Sequence, residues 1–162
     1  MMTTCPNCGG SIIGDGHSTV QHCENARYND YHDREPDSTT VLCQQLRILI
    51  LEDDPNRVKK FTQALIGHEV SVTDSSKVCI ELLKTKKFDV LMLDHDLGGE
   101  VYVKSGENTG YEVACFLEEN PDKQPTQIFI HSLNGVGAQK MNAAIPKARH
   151  VPFLWEQIEE YI

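Results

Sequence analysis

Three short polar runs follow directly on hydrophobic stretches, and their residue types suit one chemistry. Glu52-Asp53-Asp54 follows Arg47-Ile48-Leu49-Ile50-Leu51, Asp94-His95-Asp96 follows Asp89-Val90-Leu91-Met92-Leu93, and His131-Ser132 follows Gln127-Ile128-Phe129-Ile130. Hard cations such as Mg²⁺ take oxygen ligands and usually need one or two carboxylates plus waters. Asp53 and Asp94 would supply those two, with Mg²⁺ or Mn²⁺ as the cofactor. A metal there could polarise a phosphoryl oxygen and lower the pKa of bound water. Either Asp94 or that water could attack phosphorus. An imidazole near neutrality suits proton transfer to a departing oxygen, so His131 and His95 are the candidate general acids. Ser132, Asn134 and the N–H groups near Gly135 and Gly137 could hydrogen-bond phosphoryl oxygens. On an extended strand end Asp94 and Asp96 face alike and His95 faces the other way.

The elements that must position these residues alternate after residue 46. Residues 47–51 form an almost continuous apolar run, the pattern of a strand buried on both faces. Asp54-Pro55 opens a helix, with Asp54 as its cap and Pro55 in the first turn, and Gly67 closes it. Residues 69–73 read as the second strand, Ser75 or Ser76 as the next cap, and 88–93 as the third strand. A polar loop from His95 to Asn108 carries Gly98, Gly99 and Gly106. Asn108 or Thr109 caps a helix stopped by Asn120-Pro121. Residues 126–130 form the fourth strand, 136–145 a short helix, 150–154 the fifth strand, and the last residues a terminal helix. This alternation predicts an α/β fold, a doubly wound parallel sheet of five strands in the order 2-1-3-4-5. Ligands bind outside the carboxyl ends of such strands, at the switch point between the first and third, where Asp53 and Asp94 fall.

Before residue 43 the composition changes to Gly, Asn, Asp, His and Cys without periodic apolar pattern. The expected organisation is therefore a small module over 1–45 and an α/β domain over 46–162. Cys5-Pro6-Asn7-Cys8-Gly9-Gly10 is a knuckle that lets both thiols face one ion. Cys23 and Cys43 could complete a tetrahedral structural Zn²⁺ site, with His22 in place of Cys23 as the alternative. Such an ion would supply folding energy that the segment lacks. The net charge of −9 argues against sequence-independent grip on duplex DNA, which needs clustered Lys and Arg. The module's acidity makes it a poor DNA finger and favours packing on the site or binding a protein partner. No apolar run is long enough for a membrane span, no leader is evident, and reduced cysteines fit a cytoplasmic protein.

These residues resemble a known family. Ile48 through Pro55 looks like the opening of a receiver domain of two-component response regulators. Asp89 through Asp94 looks like that domain's third strand, with Asp94 in the place of the phosphorylated aspartate. Thr109-Gly110-Tyr111-Glu112-Val113 is similar to the start of its third helix. Ile128 through Ser132 resembles its fourth strand, with Ser132 in the place of the phosphoryl-binding hydroxyl. The receiver's lysine after the fifth strand has no counterpart in His150-Val151-Pro152-Phe153-Leu154-Trp155. Leu93-Asp94-His95-Asp96-Leu97, His131-Ser132-Leu133-Asn134 and Gly137-Ala138-Gln139-Lys140-Met141 are more similar to the cyclic-phosphate processing receivers. That resemblance implies an enzyme acting on cyclic phosphates of nucleotides or RNA ends. It adds the main-chain carbonyl of Asp96 as a third metal ligand and Glu52 through water. The competing expectations are a receiver phosphorylated on Asp94 and a nucleotide-binding module without turnover.

Overall fold

The computed structural model describes residues 4–5, 11–14, 21–23, 40–41 and 43–162. The chain divides into two compact units, one within 1–46 and 66–69, the other comprising 47–65 and 70–162. In the first, β1 (Ile12–Gly14), β2 (Gln21–Cys23) and β3 (Thr40–Val41) form a small sheet in that order. β1 and β2 run antiparallel, with Ile12 opposite Cys23, while β2 and β3 are parallel.

The second sheet joins β4 (Arg47–Leu51), β5 (Glu69–Thr73), β6 (Val90–Leu93), β7 (Gln127–Ile130) and β8 (Arg149–His150). Its order is β5-β4-β6-β7-β8, the expected 2-1-3-4-5, and the pairs from β4 through β8 are parallel. Ile48–Leu51 and Val90–Leu93 are fully buried, as strands covered on both faces must be. Leu49, Leu51, Leu91, Leu93, Ile128 and Ile130 share one core with Leu83, Val113, Leu117 and Met141. Their alternates Ile48, Ile50, Met92 and Phe129 face the other way and are buried equally.

The helices are α1 (Pro55–Ala64), α2 (Ser76–Thr85), α3 (Gly110–Glu119), α4 (Gly135–Ala144) and α5 (Leu154–Gln157). Asp54 caps α1 by accepting from the N–H groups of Asn56 at 2.7 Å and Arg57 at 3.2 Å. Asn134 caps α4 by accepting from Gly137 N–H at 3.0 Å. Thr109 caps α3 without a side-chain bond to the helix, its hydroxyl donating instead to the Gly106 carbonyl. The fifth strand is shorter than the expected 150–154. Its last ladder bond runs from Val151 N–H to the Ile130 carbonyl at 2.8 Å. Pro152 then has no N–H to offer a neighbour, and Leu154 already begins α5.

Candidate active site

The strand register builds the site. Leu51 lies opposite Leu93, and Leu93 opposite Ile130. The ladder continues one step, with Asp94 N–H donating to Leu51 carbonyl at 3.0 Å and His131 N–H to Leu93 carbonyl at 2.9 Å. Glu52, Asp94 and His131 are therefore the same step beyond three adjacent strands. One ligating atom from each lies within 4.8 Å of the others, and all three residues are buried.

Glu52 is divided between its two oxygens. Oε1 accepts from the N–H groups of Asp53 at 2.9 Å and Asp54 at 2.8 Å, and pairs with Arg57 Nη2 at 3.0 Å. Oε2 has no hydrogen bond and faces His131 Nδ1 at 3.6 Å. Burial raises the carboxyl to about 8 against the opposing pull of the backbone donors and Arg57. Asp94 is raised by burial too, offset by hydrogen bonding from Ser132 and by the Arg57 charge. Ser132 is buried, and its Oγ also accepts from Asn134 N–H at 3.2 Å.

His131 is fully enclosed, edge-on to Phe61 at 5.1 Å and to Trp155 at 6.1 Å between ring centroids. Neither ring nitrogen has a hydrogen-bond partner. Burial, with Arg57 adding to it, lowers its pKa to about 3, so the ring is neutral at ordinary pH.

His95 has a different environment. Nδ1 meets Asp96 Oδ1 at 2.7 Å and Nε2 meets Ser105 Oγ at 2.9 Å. Asp96 Oδ1 also accepts from Asn134 Nδ2 at 2.9 Å, and its Oδ2 from Tyr102 N–H at 2.6 Å. Burial pushes the Asp96 carboxyl up, but the hydrogen bonds from Asn134, His95 and Tyr102 outweigh it and leave the pKa below its ordinary value. Both His95 nitrogens are thus committed to the loop. Asn134, read from the sequence as a phosphoryl donor, gives its amide to Asp96 and the Val103 carbonyl. Gly137 N–H is committed to the Asn134 cap.

Asp53 lies further out than the buried row. Its Oδ2 accepts from Gly99 N–H at 2.6 Å, which ties the long loop to the end of β4. Its Oδ1 is 3.8 Å from Arg57 Nη2, while Asp94 Oδ2 is 3.1 Å from the same nitrogen. Glu52, Asp53 and Asp94 all converge on this one guanidinium. Their hard oxygens fit a divalent cation. Asp94 and Asp53 could hold it directly, and Asp96 has only its carbonyl free of the loop's bonds.

Sequence reasoning missed Arg57 and Trp155. The guanidinium carbon of Arg57 lies 5.1 Å from the Trp155 ring centroid. A signal existed: an arginine in the first turn of α1 opposes the helix dipole, so an acidic neighbour had to hold it there. Trp155 gave no comparable signal, because only folding brings α5 beside α1.

In the smaller unit Cys5, Cys23 and Cys43 are buried, and their sulfurs lie within 4.8 Å of one another. Cys5 Sγ and Cys43 Sγ are 3.8 Å apart. That is far beyond a disulfide bond, and it matches the edge of about 3.8 Å that a tetrahedron with ~2.3 Å zinc–sulfur bonds would have. The cluster is consistent with a zinc-ribbon-like segment and could hold a metal. Cys8, the fourth expected ligand, lies outside the described residues.

No curated protein matches the chain. Among solved structures it is similar to a CheY-like response regulator receiver domain protein from Methanospirillum hungatei JF-1. That match has 17% identity, covers 72% of this chain and 90% of the other, and has a TM-score of 0.53. The Mn²⁺-bound form of response regulator Rcp1 matches at 14% identity over 71% and 90%, with a TM-score of 0.56. The receiver domain of a sensor histidine kinase from Pseudomonas aeruginosa PAO1, with magnesium coordinated in its active-site cleft, matches at 15% over 72% and 93%, with a TM-score of 0.54. These likenesses establish a receiver fold. Residues 47–147 match the model of the cyclic-phosphate processing receiver domain, a span of more than half the sequence that includes the whole row of Glu52, Asp94 and His131, and so the chain belongs to that family.

Proposed function

We propose that this protein is a metal-dependent hydrolase of cyclic phosphates in nucleotides or RNA ends. The observation that carries the reading is His131, fully buried, with both nitrogens unpaired, in the same row as Asp94. A domain that only accepted a phosphoryl group would need the Ser132 hydroxyl here, not an imidazole beside it. Asp53, Asp94 and the Asp96 carbonyl would hold Mg²⁺ or Mn²⁺, which when bound polarises the phosphoryl oxygen and activates water.

The remaining work falls to the chain's own groups. Ser132 orients Asp94 in the metal-free site, and its one hydroxyl proton would turn to a phosphoryl oxygen once the cation holds that carboxylate. Attack on phosphorus forms a new P–O bond and opens the bond to one ribose oxygen. That oxygen leaves as an alkoxide and takes one proton. The Glu52–His131 pair holds that proton, on the Glu52 Oε2 side, 3.6 Å from Nδ1. His131 is the general acid that passes it on, and the proton given up by the hydrolytic water, whose oxygen stays on phosphorus, restores it. His95 positions the loop through Asp96 and Ser105 and does not itself transfer the proton.

The test is purified protein with Mg²⁺ or Mn²⁺ against cyclic nucleotides and RNA with 2′,3′-cyclic ends. His131→Ala should lower turnover roughly 10²–10⁴-fold while metal affinity changes little, and the loss should shrink for substrates with a good leaving group. Self-phosphorylation of Asp94 by acetyl phosphate without hydrolysis would make the chain a signalling receiver. Nucleotide binding without turnover would make it a binding module. The smaller unit, in the same reading, holds one structural zinc through Cys5, Cys8, Cys23 and Cys43 and offers a surface to a protein partner.

A further inference from the structure

We infer that Arg57 is the group that binds the substrate's phosphoryl oxygens, resting at the metal-binding carboxylates until the cation arrives. The inference rests on the phosphoryl chemistry proposed above, but not on turnover.

Four observations lead to it. Arg57 Nη2 reaches Glu52 Oε1 at 3.0 Å and Asp94 Oδ2 at 3.1 Å, so one nitrogen lies against a carboxylate that a divalent cation would use. A bound cation would compete with the guanidinium for those oxygens and repel it, leaving its donors available to a phosphate. Second, Arg57 Nε is buried without a hydrogen bond, its nearest acidic oxygen being Asp54 Oδ2 at 3.8 Å. The side chain therefore holds unused donor capacity while another of its nitrogens is beside Asp94, and a guanidinium presents a planar fork suited to phosphate. Third, the plane is supported: Trp155 lies under it at 5.1 Å, and Phe153 packs edge-on against Trp155 at 5.7 Å. Such a platform keeps the head group in place while its partners change. Finally, among the described residues no lysine pairs with Glu52, Asp53 or Asp94, and 150–155 contains none. A phosphate beside Asp94 would lie against the carboxyl groups of Asp53 and Asp94 unless Arg57 turned to it.

The chain's one tryptophan is Trp155, so its fluorescence reports on this guanidinium directly. The experiment titrates the full chain with Mn²⁺ alone, then with inorganic phosphate at saturating Mn²⁺. Wild type, Arg57→Lys and Arg57→Gln are compared by calorimetry and by Trp155 emission. For wild type, Mn²⁺ and then phosphate should each change the emission, and phosphate should bind more tightly with the metal than without it. Arg57→Gln should weaken phosphate binding roughly 10- to 100-fold, the loss expected for a charged hydrogen bond, while binding Mn²⁺ as well or better. Arg57→Lys should retain part of the phosphate affinity. Unchanged phosphate affinity in Arg57→Gln would overturn the inference. So would joint loss of metal and phosphate binding, which would make Arg57 only a brace for the carboxylates. Should Arg57→Gln fail to fold, a wild-type emission unresponsive to phosphate at saturating Mn²⁺ would overturn it equally. Arg57-dependent phosphate binding in a protein that hydrolyses no cyclic phosphate would sink the hydrolase reading and leave this one standing.

Discussion

At the scale of single residues, Glu52 and His131 make stability depend on pH in opposite ways. Glu52 has a folded pKa of about 8 against an ordinary 4.5, so the folded state holds this proton more tightly. Its contribution to stability is lost as pH rises from 4.5 towards 8. His131 has a folded pKa of about 3 against 6.5, so the unfolded chain binds that proton more tightly and stability is lost as pH falls from 6.5 towards 3. Between 4.5 and 6.5 the two slopes oppose each other. Metal-free protein should therefore be most stable in that window and weaken on both sides. Urea unfolding midpoints across the range measure this. Glu52→Gln should flatten the alkaline limb and His131→Gln the acid limb. Carboxylate function is tested separately: Asp94→Asn should remove activity and weaken Mn²⁺ binding without unfolding the domain. Mn²⁺ affinity that is unchanged in both Asp53→Asn and Asp94→Asn would reject the metal assignment.

Elements decide what the loop of residues 96–108 can do. It is pinned at Asp53 through Gly99, at Asp96 through Tyr102, and at His95 through Ser105. Gly98 and Gly99 have φ of +82° and +77°, a region open to glycine without penalty. The loop's anchor, His95, lies against Gly137 in α4, so closely that a Cβ there would strike the imidazole ring. Gly137→Ala should force the ring and the loop outward and destabilise the domain by about 1–3 kcal/mol, the usual range for overpacking. His95→Ala should leave Asp96 and Ser105 without their ring partners. Limited proteolysis should then cut within 97–107 well before the sheet unfolds. A loop that stays resistant in His95→Ala would return His95 to the list of candidate acids.

At the scale of the whole molecule, the two units should respond to different metals. Elemental analysis should find about one zinc per chain. Cys43→Ser should loosen the smaller unit, seen as faster amide exchange around β1 and β2, while the five-stranded sheet keeps its unfolding transition. Metal-free protein with an unchanged exchange pattern in the smaller unit would reject a structural zinc. Among the described residues no helix is long and apolar enough to cross a membrane.

Much of the fold was legible because each signal is local. An apolar run buried on both faces, a capping Asp54 before Pro55 and a stop at Asn120-Pro121 act within a few residues. Alternation of strand and helix then restricts the sheet to few layouts, and the observed order is the commonest of them. The fifth strand is present but ends earlier than its sequence suggests: Val151, Pro152 and Leu154 look apolar and extended, whereas the ladder shows that pairing ends at Val151. For the site, the sequence alone determined which strand ends carry carboxylates, imidazoles and a hydroxyl. It could not decide which of them meet. That is set by register: Leu51 opposite Leu93 opposite Ile130 selects Glu52, Asp94 and His131 for the buried row. The same geometry leaves Asp53 further out and turns His95 and Asn134 to the loop. Arg57 and Trp155 enter by helix packing, over separations in sequence that no local pattern spans. Their roles became visible only when tertiary structure placed one cation among three carboxylates.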